Sequence, residues 1–272
     1  MQQSRPNLDK YILDLQARGR VSFTIQEALA ALSITQKSFL NAAARLQKQK
    51  LLLNPRQGFY VAVPPQYLLW GGPPPAWYID DLMRYEQRPY YVGLLKAAEF
   101  HGASHQAVME FQVMTDKQLP KIRAGRSLIV FYYRKDFGPV EDAISAQKTD
   151  AGSMKLSSPE LTAFDLLRYA HAVGGIDVVA TVLSELSSKM NADRLARLAA
   201  ISERSLVQRL GYLLEKLGSA SLAEPLHQHL MSLKAFTWVD LEPQPRRGAK
   251  SPPAERNERW LVRVQHVPEA DE

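Results

Sequence analysis

The 272-residue chain contains no cysteine. Disulfide bonds, thiolate metal sites and thiol nucleophiles are therefore excluded, and the absence of cysteine fits a reducing compartment. No apolar run approaches the roughly 20 residues of a membrane-spanning helix. The opening residues, MQQSRPNLDK, also lack the apolar core of a signal peptide. We expect a cytoplasmic protein that does not contact a membrane.

Acidic residues are scarce in one quarter of the chain. Residues 1–66 hold 9 Lys and Arg against 3 Asp and Glu, whereas the remaining residues hold 25 of each sign. The whole net charge of +6 therefore lies in the N-terminal quarter. This asymmetry predicts a polyanionic partner for that segment.

The stretch from Thr35 to Lys50 has no acidic residue. Helical spacing places Phe39, Ala43 and Leu46 on one side, and Thr35 is positioned to cap the helix. The opposite side carries polar and basic residues: Lys37, Asn41, Arg45 and Lys48. Asn can bridge two atoms of adenine, Arg can fork onto guanine, and Lys can meet phosphates. The stretch therefore has the character of a DNA-recognition helix, with a solvated surface helix as the alternative.

The neighbouring segments predict a winged helix-turn-helix. A second helix begins after Thr24, and Glu27 completes a capping box there. Residues 51–53 and 59–63 are strand-like and surround a turn with Arg56 at its tip. Helix, strand, helix, helix and hairpin is the order of a winged helix-turn-helix, a fold that also serves protein contacts.

Proline and glycine separate two expected domains. A stiff connector is predicted at 67–75, between a winged helix-turn-helix DNA-binding domain at 1–66 and a C-terminal domain at 76–272. The segment from Tyr67 to Trp70 is too apolar for a free linker, so it is expected to pack on one domain. The expected fold class is α+β, mainly helical, with a larger mixed α/β C-terminal domain.

A second basic cluster lies between two strand-like segments, 108–115 and 127–134, which predict a hairpin. Its members are Lys117, Lys121, Arg123 and Arg126. They form a candidate second DNA surface that contacts backbone beyond the recognition helix. The alternative is a solvated edge, because lysines commonly protect exposed strands from pairing.

Catalytic and metal-binding patterns are weak. Glu160 and Asp165 could hold Mg²⁺. However, Glu160 is an acidic residue of the kind expected at a helix start. Asp165 is explained by its place in the first turns of the same predicted helix and by the nearby Arg168. The six histidines show no metal-ligand spacing. We expect no catalytic site, no metal and no cofactor, with a nucleic-acid-processing enzyme as the alternative.

Three segments carry the motifs of a known family. They are RPYYVGLLKAAEFHGASHQAVMEFQV (88–113), KLSSPELTAFDLLRYAHAVGGIDVVATVLSEL (155–186) and QRLGYLLEKLG (208–218). Together with the winged-helix start, they resemble the AbiEi family in order and spacing. Members of that family are the antitoxins of type IV toxin–antitoxin systems, which act in abortive infection and phage defence.

The resemblance implies two activities. The winged helix is implied to bind inverted repeats in double-stranded promoter DNA of its own operon and to repress transcription. The C-terminal domain is implied to counter a nucleotidyltransferase-like toxin without a stable complex. The expected DNA contacts are Gln36, Lys37, Ser38, Asn41, Arg45 and Lys48, with Arg56 on the wing. The alternative is a stand-alone winged-helix transcription regulator whose C-terminal domain senses a ligand or dimerises.

Overall fold

The computed structural model describes residues 7–103, 108–233, 235, 237–242 and 255–268. Helices account for about half of the chain, and the fold is mixed α/β rather than mainly helical. The chain divides into two compact units. The first runs to Val92 and adds Met109–Phe137 and Ala146–Leu156; the second comprises Gly93–Val108, Gly138–Ser145 and the chain from Ser157 onward. The expected domain bounds at 66 and 75 differ from this division and stay a prediction.

The N-terminal part of the first unit combines three helices with a small sheet. Its elements are α1 (Leu8–Ala17), β1 (Ser22–Thr24), α2 (Ile25–Leu32), α3 (Gln36–Lys48), β2 (Leu52–Arg56) and β3 (Phe59–Ala62). The strands are antiparallel in the order β1-β3-β2. Phe23, Phe39 and Tyr60 meet in the core, with ring centroids 5.1 Å apart for Phe39–Tyr60 and 5.7 Å for Phe23–Tyr60. Such ring pairs stabilise the core beyond the area that they bury.

The helix starts form as the sequence predicts. Thr24 Oγ1 accepts the N–H of Glu27, and the Glu27 carboxylate accepts the N–H of Thr24, so the capping box is complete. Burial acts to raise the pKa of Glu27, but hydrogen bonds from Thr24 and Arg20 outweigh it and the pKa is lowered. Thr35 caps α3 by accepting the N–H of Ser38. These contacts fix where α2 and α3 begin.

A six-stranded sheet forms the middle of the chain. After α4 (Ile79–Tyr85) come β4 (Tyr90–Val92), β5 (Glu110–Thr115), β6 (Ile122–Ala124), β7 (Ser127–Tyr133), β8 (Ile144–Thr149) and β9 (Gly152–Ser157). The order is β6-β7-β5-β4-β9-β8. The expected hairpin of 108–115 with 127–134 is wrong, because β5 and β7 pair in parallel. Parallel neighbours require a crossover, and the hairpin is formed instead by β6 and β7 around Gly125.

The second unit is mostly helical. Its elements are α5 (Leu94–Phe100), α6 (Pro159–Arg168), α7 (Ile176–Leu186), α8 (Ala192–Ile201), α9 (Arg204–Lys216), α10 (Ala220–Ser232), β10 (Val239–Asp240), β11 (Glu255–Asn257) and β12 (Val262–Val264). The last three strands form a sheet in the order β10-β12-β11. Trp260, just before β12, is fully buried against Gly211 of α9. Within the described ranges, no helix has the length and apolarity to cross a membrane.

Candidate nucleic-acid interface

Helix α3 has the two-sided character that its sequence predicts. Phe39, Ala43 and Leu46 are almost fully buried in the N-terminal core. All six predicted contacts on this helix are exposed: Gln36, Lys37, Ser38, Asn41, Arg45 and Lys48. We call this exposed set the α3 face. It carries amide, hydroxyl and cationic groups, which suit the edges of bases and the phosphates of DNA.

One cation of the α3 face already has an acidic partner. The Arg45 guanidinium lies 2.5 Å from an Asp9 carboxylate oxygen, and its side chain remains 55% exposed. Lys37 and Lys48 have no salt bridge among the residues that the structure describes. The lysines are therefore free to contact phosphates, whereas a phosphate would compete with Asp9 for Arg45.

The structure does not leave Arg56 free at the tip of a wing. Arg56 is the last residue of β2, and its Nε donates to Glu86 at 2.7 Å. Its Nη2 donates to the carbonyl of Pro120 at 2.8 Å, and its side chain is only 20% exposed. The exposed-tip expectation is wrong because Glu86 and the chain entering β6 cover this side of the hairpin. We infer that Arg56 holds the hairpin in place.

We expect Arg56→Ala to reduce the free energy of unfolding by about 1–2 kcal/mol, because it breaks hydrogen bonds between charged and polar groups. Where both proteins are folded, the affinity of this variant for DNA should stay within about twofold of that of the intact chain, since a paired arginine neutralises no phosphate. Urea unfolding and a binding titration measure the two effects. Gln57→Ala, at an exposed neighbouring position, is the control. Unchanged stability with a lower salt dependence of binding would contradict this assignment.

The second basic cluster is exposed as a whole. Lys117 and Lys121 lie between β5 and β6, Arg123 lies on β6, and Arg126 lies in the turn to β7. None of these four has a salt bridge among the described residues. The neighbouring Asp116 lies 3.5 Å from Arg88 and is thus already paired. The cluster consequently presents uncompensated positive charge.

The residues considered for catalysis lie in or beside α6. Glu160 is fully buried, and its Oε1 accepts the N–H of Asn191 at 2.7 Å. Asp165 is also fully buried, while Arg168 pairs with Glu203 at 2.5 Å. Ser158 caps α6, so the predicted helix start is confirmed. Within the described part of the chain, no group of three or more His, Asp or Glu could hold a metal ion. The absence of catalysis stays a prediction.

A cleft of about 220 Å³ in the first unit was not predicted. Its lining includes Arg20 and Glu27, 3.1 Å apart, and Arg84 and Asp81, 2.8 Å apart. Because these charges pair within the cleft, it offers an ion little net attraction. Spacing along the sequence gives no signal for it, since its walls come from β1, α2, β3 and α4.

Part of the sequence matches the model of a known protein family. Residues 91–216 match the family model of the AbiEi antitoxin C-terminal domain. The match spans 126 of the 272 residues, so it classes this part of the chain and not the whole protein. The chain carries an AbiEi-family domain, which confirms the resemblance seen in its motifs. Residues 104–107 of the first motif lie outside the described residues.

The comparison with solved structures concerns the fold. The chain is similar to the RV2827C protein from Mycobacterium tuberculosis, whose crystal structure aligns with a TM-score of 0.67. The alignment covers 93% of this chain and 89% of that one, at 16% sequence identity. At that identity the likeness shows a shared fold and nothing about function. No curated protein matches the sequence.

Proposed function

We propose that the protein is the antitoxin of a type IV toxin–antitoxin operon and represses that operon by binding its double-stranded promoter DNA. In this proposal α1 to β3 form a winged helix-turn-helix, and α3 is its recognition helix. The observation that carries DNA binding is the α3 face, which is exposed and free of acidic residues while three apolar residues anchor the helix behind it. Inverted repeats would suit a pair of such modules.

The α3 face suggests distinct roles for its members. Asn41 lies between Lys37 and Lys48 on the outward side, so it can reach a base edge while the lysines contact phosphates. Gln36, Ser38 and Arg45 flank this line. We leave Arg56 out of the proposed contacts because of its pairing with Glu86. The second basic cluster would then supply the backbone contacts expected of a wing.

The antitoxin role rests on the AbiEi domain match. We propose that this part of the chain counters a nucleotidyltransferase-like toxin in the cytoplasm, without catalysis and without a stable complex. In terms of function, we assign DNA binding to residues 1–66 and protection against the toxin to residues 76–272. Residues 67–75 connect these two parts. The compact units cross these bounds, so the assignment concerns activity and not independent folding.

Single substitutions on α3 test the recognition helix. We expect Asn41→Ala to weaken binding to the promoter duplex by about 5- to 150-fold, the equivalent of ~1–3 kcal/mol for a bidentate base contact. Lys37→Ala should weaken promoter and scrambled duplexes alike and reduce the salt slope by about one. Fluorescence anisotropy across a range of salt concentrations measures both quantities.

The matched control is Gln47→Ala. Gln47 is exposed on the same helix but lies about a quarter-turn from the outward line of Lys37, Asn41 and Lys48. It is also roughly 16 Å along the helix axis from Gln36, the proposed contact on its side of α3. Its loss should change neither affinity nor salt slope. Equal effects of Gln47→Ala and Asn41→Ala would show that α3 does not read bases.

A further inference from the structure

Three consecutive apolar residues are unexpectedly exposed. Leu69 is 87% exposed, Trp70 is 61% exposed, and Leu68 before them is exposed as well. Their sequence predicted that they would pack on a domain, and for these side chains that expectation is wrong. We call Leu68, Leu69 and Trp70 the apolar tip. Large apolar side chains presented together to solvent commonly mark a binding surface.

The backbone of the apolar tip is held firmly from behind. The N–H of Arg126 donates to the carbonyl of Trp70 at 3.1 Å. Gly71 and Gly125 touch so closely that a Cβ on Gly125 would lie 2.5 Å from the backbone of Gly71. Both are in the left-handed region, with φ of +75° and +61°. The side chains are thus displayed on a fixed support, which lowers the entropy lost on binding.

Positive charge adjoins the apolar tip. The Arg126 guanidinium lies over the Trp70 ring, 5.7 Å from its centroid. Arg123 on β6 and Lys121 just before β6 belong, like Arg126, to the second basic cluster. On the other side, Gly72 lies against Leu53 of β2, the strand that follows α3. The tip therefore contacts one cation of the second basic cluster and adjoins the segment that leads out of the proposed recognition helix.

We propose that the apolar tip and Arg126 form a second contact with the DNA duplex, in the minor groove beside the site of α3. The proposal rests on the DNA binding proposed above. Arginine side chains favour the negative potential of a narrow minor groove, and apolar side chains wedge against sugars and base steps there. Arg126 supplies the arginine, and the apolar tip supplies the apolar side chains. Arg126 on the Trp70 ring, together with the exposed second basic cluster to which it belongs, favours a polyanion over an apolar protein surface.

Tryptophan fluorescence of the full chain tests the contact directly. Trp70 is the most exposed described tryptophan, because Trp260 is fully buried and Trp77 and Trp238 are half-buried. Acrylamide should quench the emission of the free protein, and the promoter duplex should reduce that quenching at least twofold. In Trp70→Phe, the duplex should leave the quenching unchanged.

Binding titrations separate apolar from ionic contributions. Trp70→Ala should weaken promoter binding about tenfold, within the range for aromatic contacts with bases. Leu69→Ala should weaken it less, and neither variant should change the salt slope. Arg126→Ala should reduce the slope by about one. Met231→Ala, which removes an exposed apolar side chain from α10, is the control and should have no effect. Thermal unfolding confirms that each variant is folded.

The outcomes are distinct. If the duplex binds but neither protects Trp70 nor distinguishes Trp70→Ala from the intact chain, the proposal is wrong while the proposed function stands. If polyglutamate protects Trp70 and the duplex does not, the tip binds an acidic polypeptide and the proposal is also wrong. If the intact chain binds no duplex at any salt concentration, both the proposed function and this inference fall.

Discussion

The triple variant Lys37→Ala/Asn41→Ala/Lys48→Ala should lose promoter binding by more than about a hundredfold yet still protect cells from the toxin. The loss combines a base contact of ~1–3 kcal/mol with two phosphate contacts. All three side chains are exposed, so their removal leaves the core of α3 intact. The AbiEi-matched residues 91–216 are unaltered. We therefore expect the triple variant to lose repression of the operon while it still protects against the toxin.

Two measurements in cells check this result. A promoter reporter should be derepressed by the triple variant and repressed by Gln47→Ala, the control on the same helix. Growth should be measured with antitoxin and toxin genes on foreign promoters, so that repression cannot mimic protection. If the triple variant fails to protect while the intact chain protects, the two activities are not separable. If the intact chain also fails, a stand-alone transcription regulator is the better interpretation.

Substitution is a better tool here than truncation. Ser22 Oγ donates to Asp81 at 2.6 Å, and Arg56 pairs with Glu86 at 2.7 Å. Both contacts join residues before 66 to residues after 75 within the first compact unit. A cut at the connector would remove these partners and expose the surfaces that they cover. Loss of activity in a fragment could then reflect misfolding.

The largest effect on stability is expected at Trp260. Its ring is fully buried, and its Nε1 donates to Glu215 at 3.0 Å. Gln208 Nε2 donates to its carbonyl at 2.9 Å. Trp260→Ala should lower the free energy of unfolding of the second unit by about 3–5 kcal/mol, as large-to-small core substitutions do. Urea unfolding followed by circular dichroism measures the change.

Gly211 supplies an independent check of the same packing. A Cβ on Gly211 would lie 2.0 Å from the Trp260 ring. Helix propensity alone predicts that Gly211→Ala stabilises α9 by about 1 kcal/mol. Overlap with the ring predicts a loss of about 1–3 kcal/mol instead. The double variant Gly211→Ala/Trp260→Leu should relieve the overlap. A stabilising effect of Gly211→Ala would show that the ring does not occupy this position.

Local features could be predicted from the sequence, and distant partners could not. The capping box of α2 and the buried side of α3 depend on residues three or four positions apart, and both form as expected. The acids that pair with Arg45 and Arg56 lie 36 and 30 residues away, and spacing gives no signal for such pairs. The parallel pairing of β5 and β7 was missed for the same reason, because two adjacent strand-like segments also fit a hairpin.

The hydrogen bond between Arg56 and Pro120 has a consequence for folding during synthesis of the chain. The Pro120 carbonyl that accepts its hydrogen bond lies 64 residues further along the chain. Ribosomes add about 5–20 residues per second, so the partner arrives several seconds after Arg56 itself. The nascent N-terminal segment therefore completes its hairpin support only after β4 and β5, the first two strands of the six-stranded sheet along the chain, have been made. A partly translated chain lacks the finished form of the segment that we propose to read DNA.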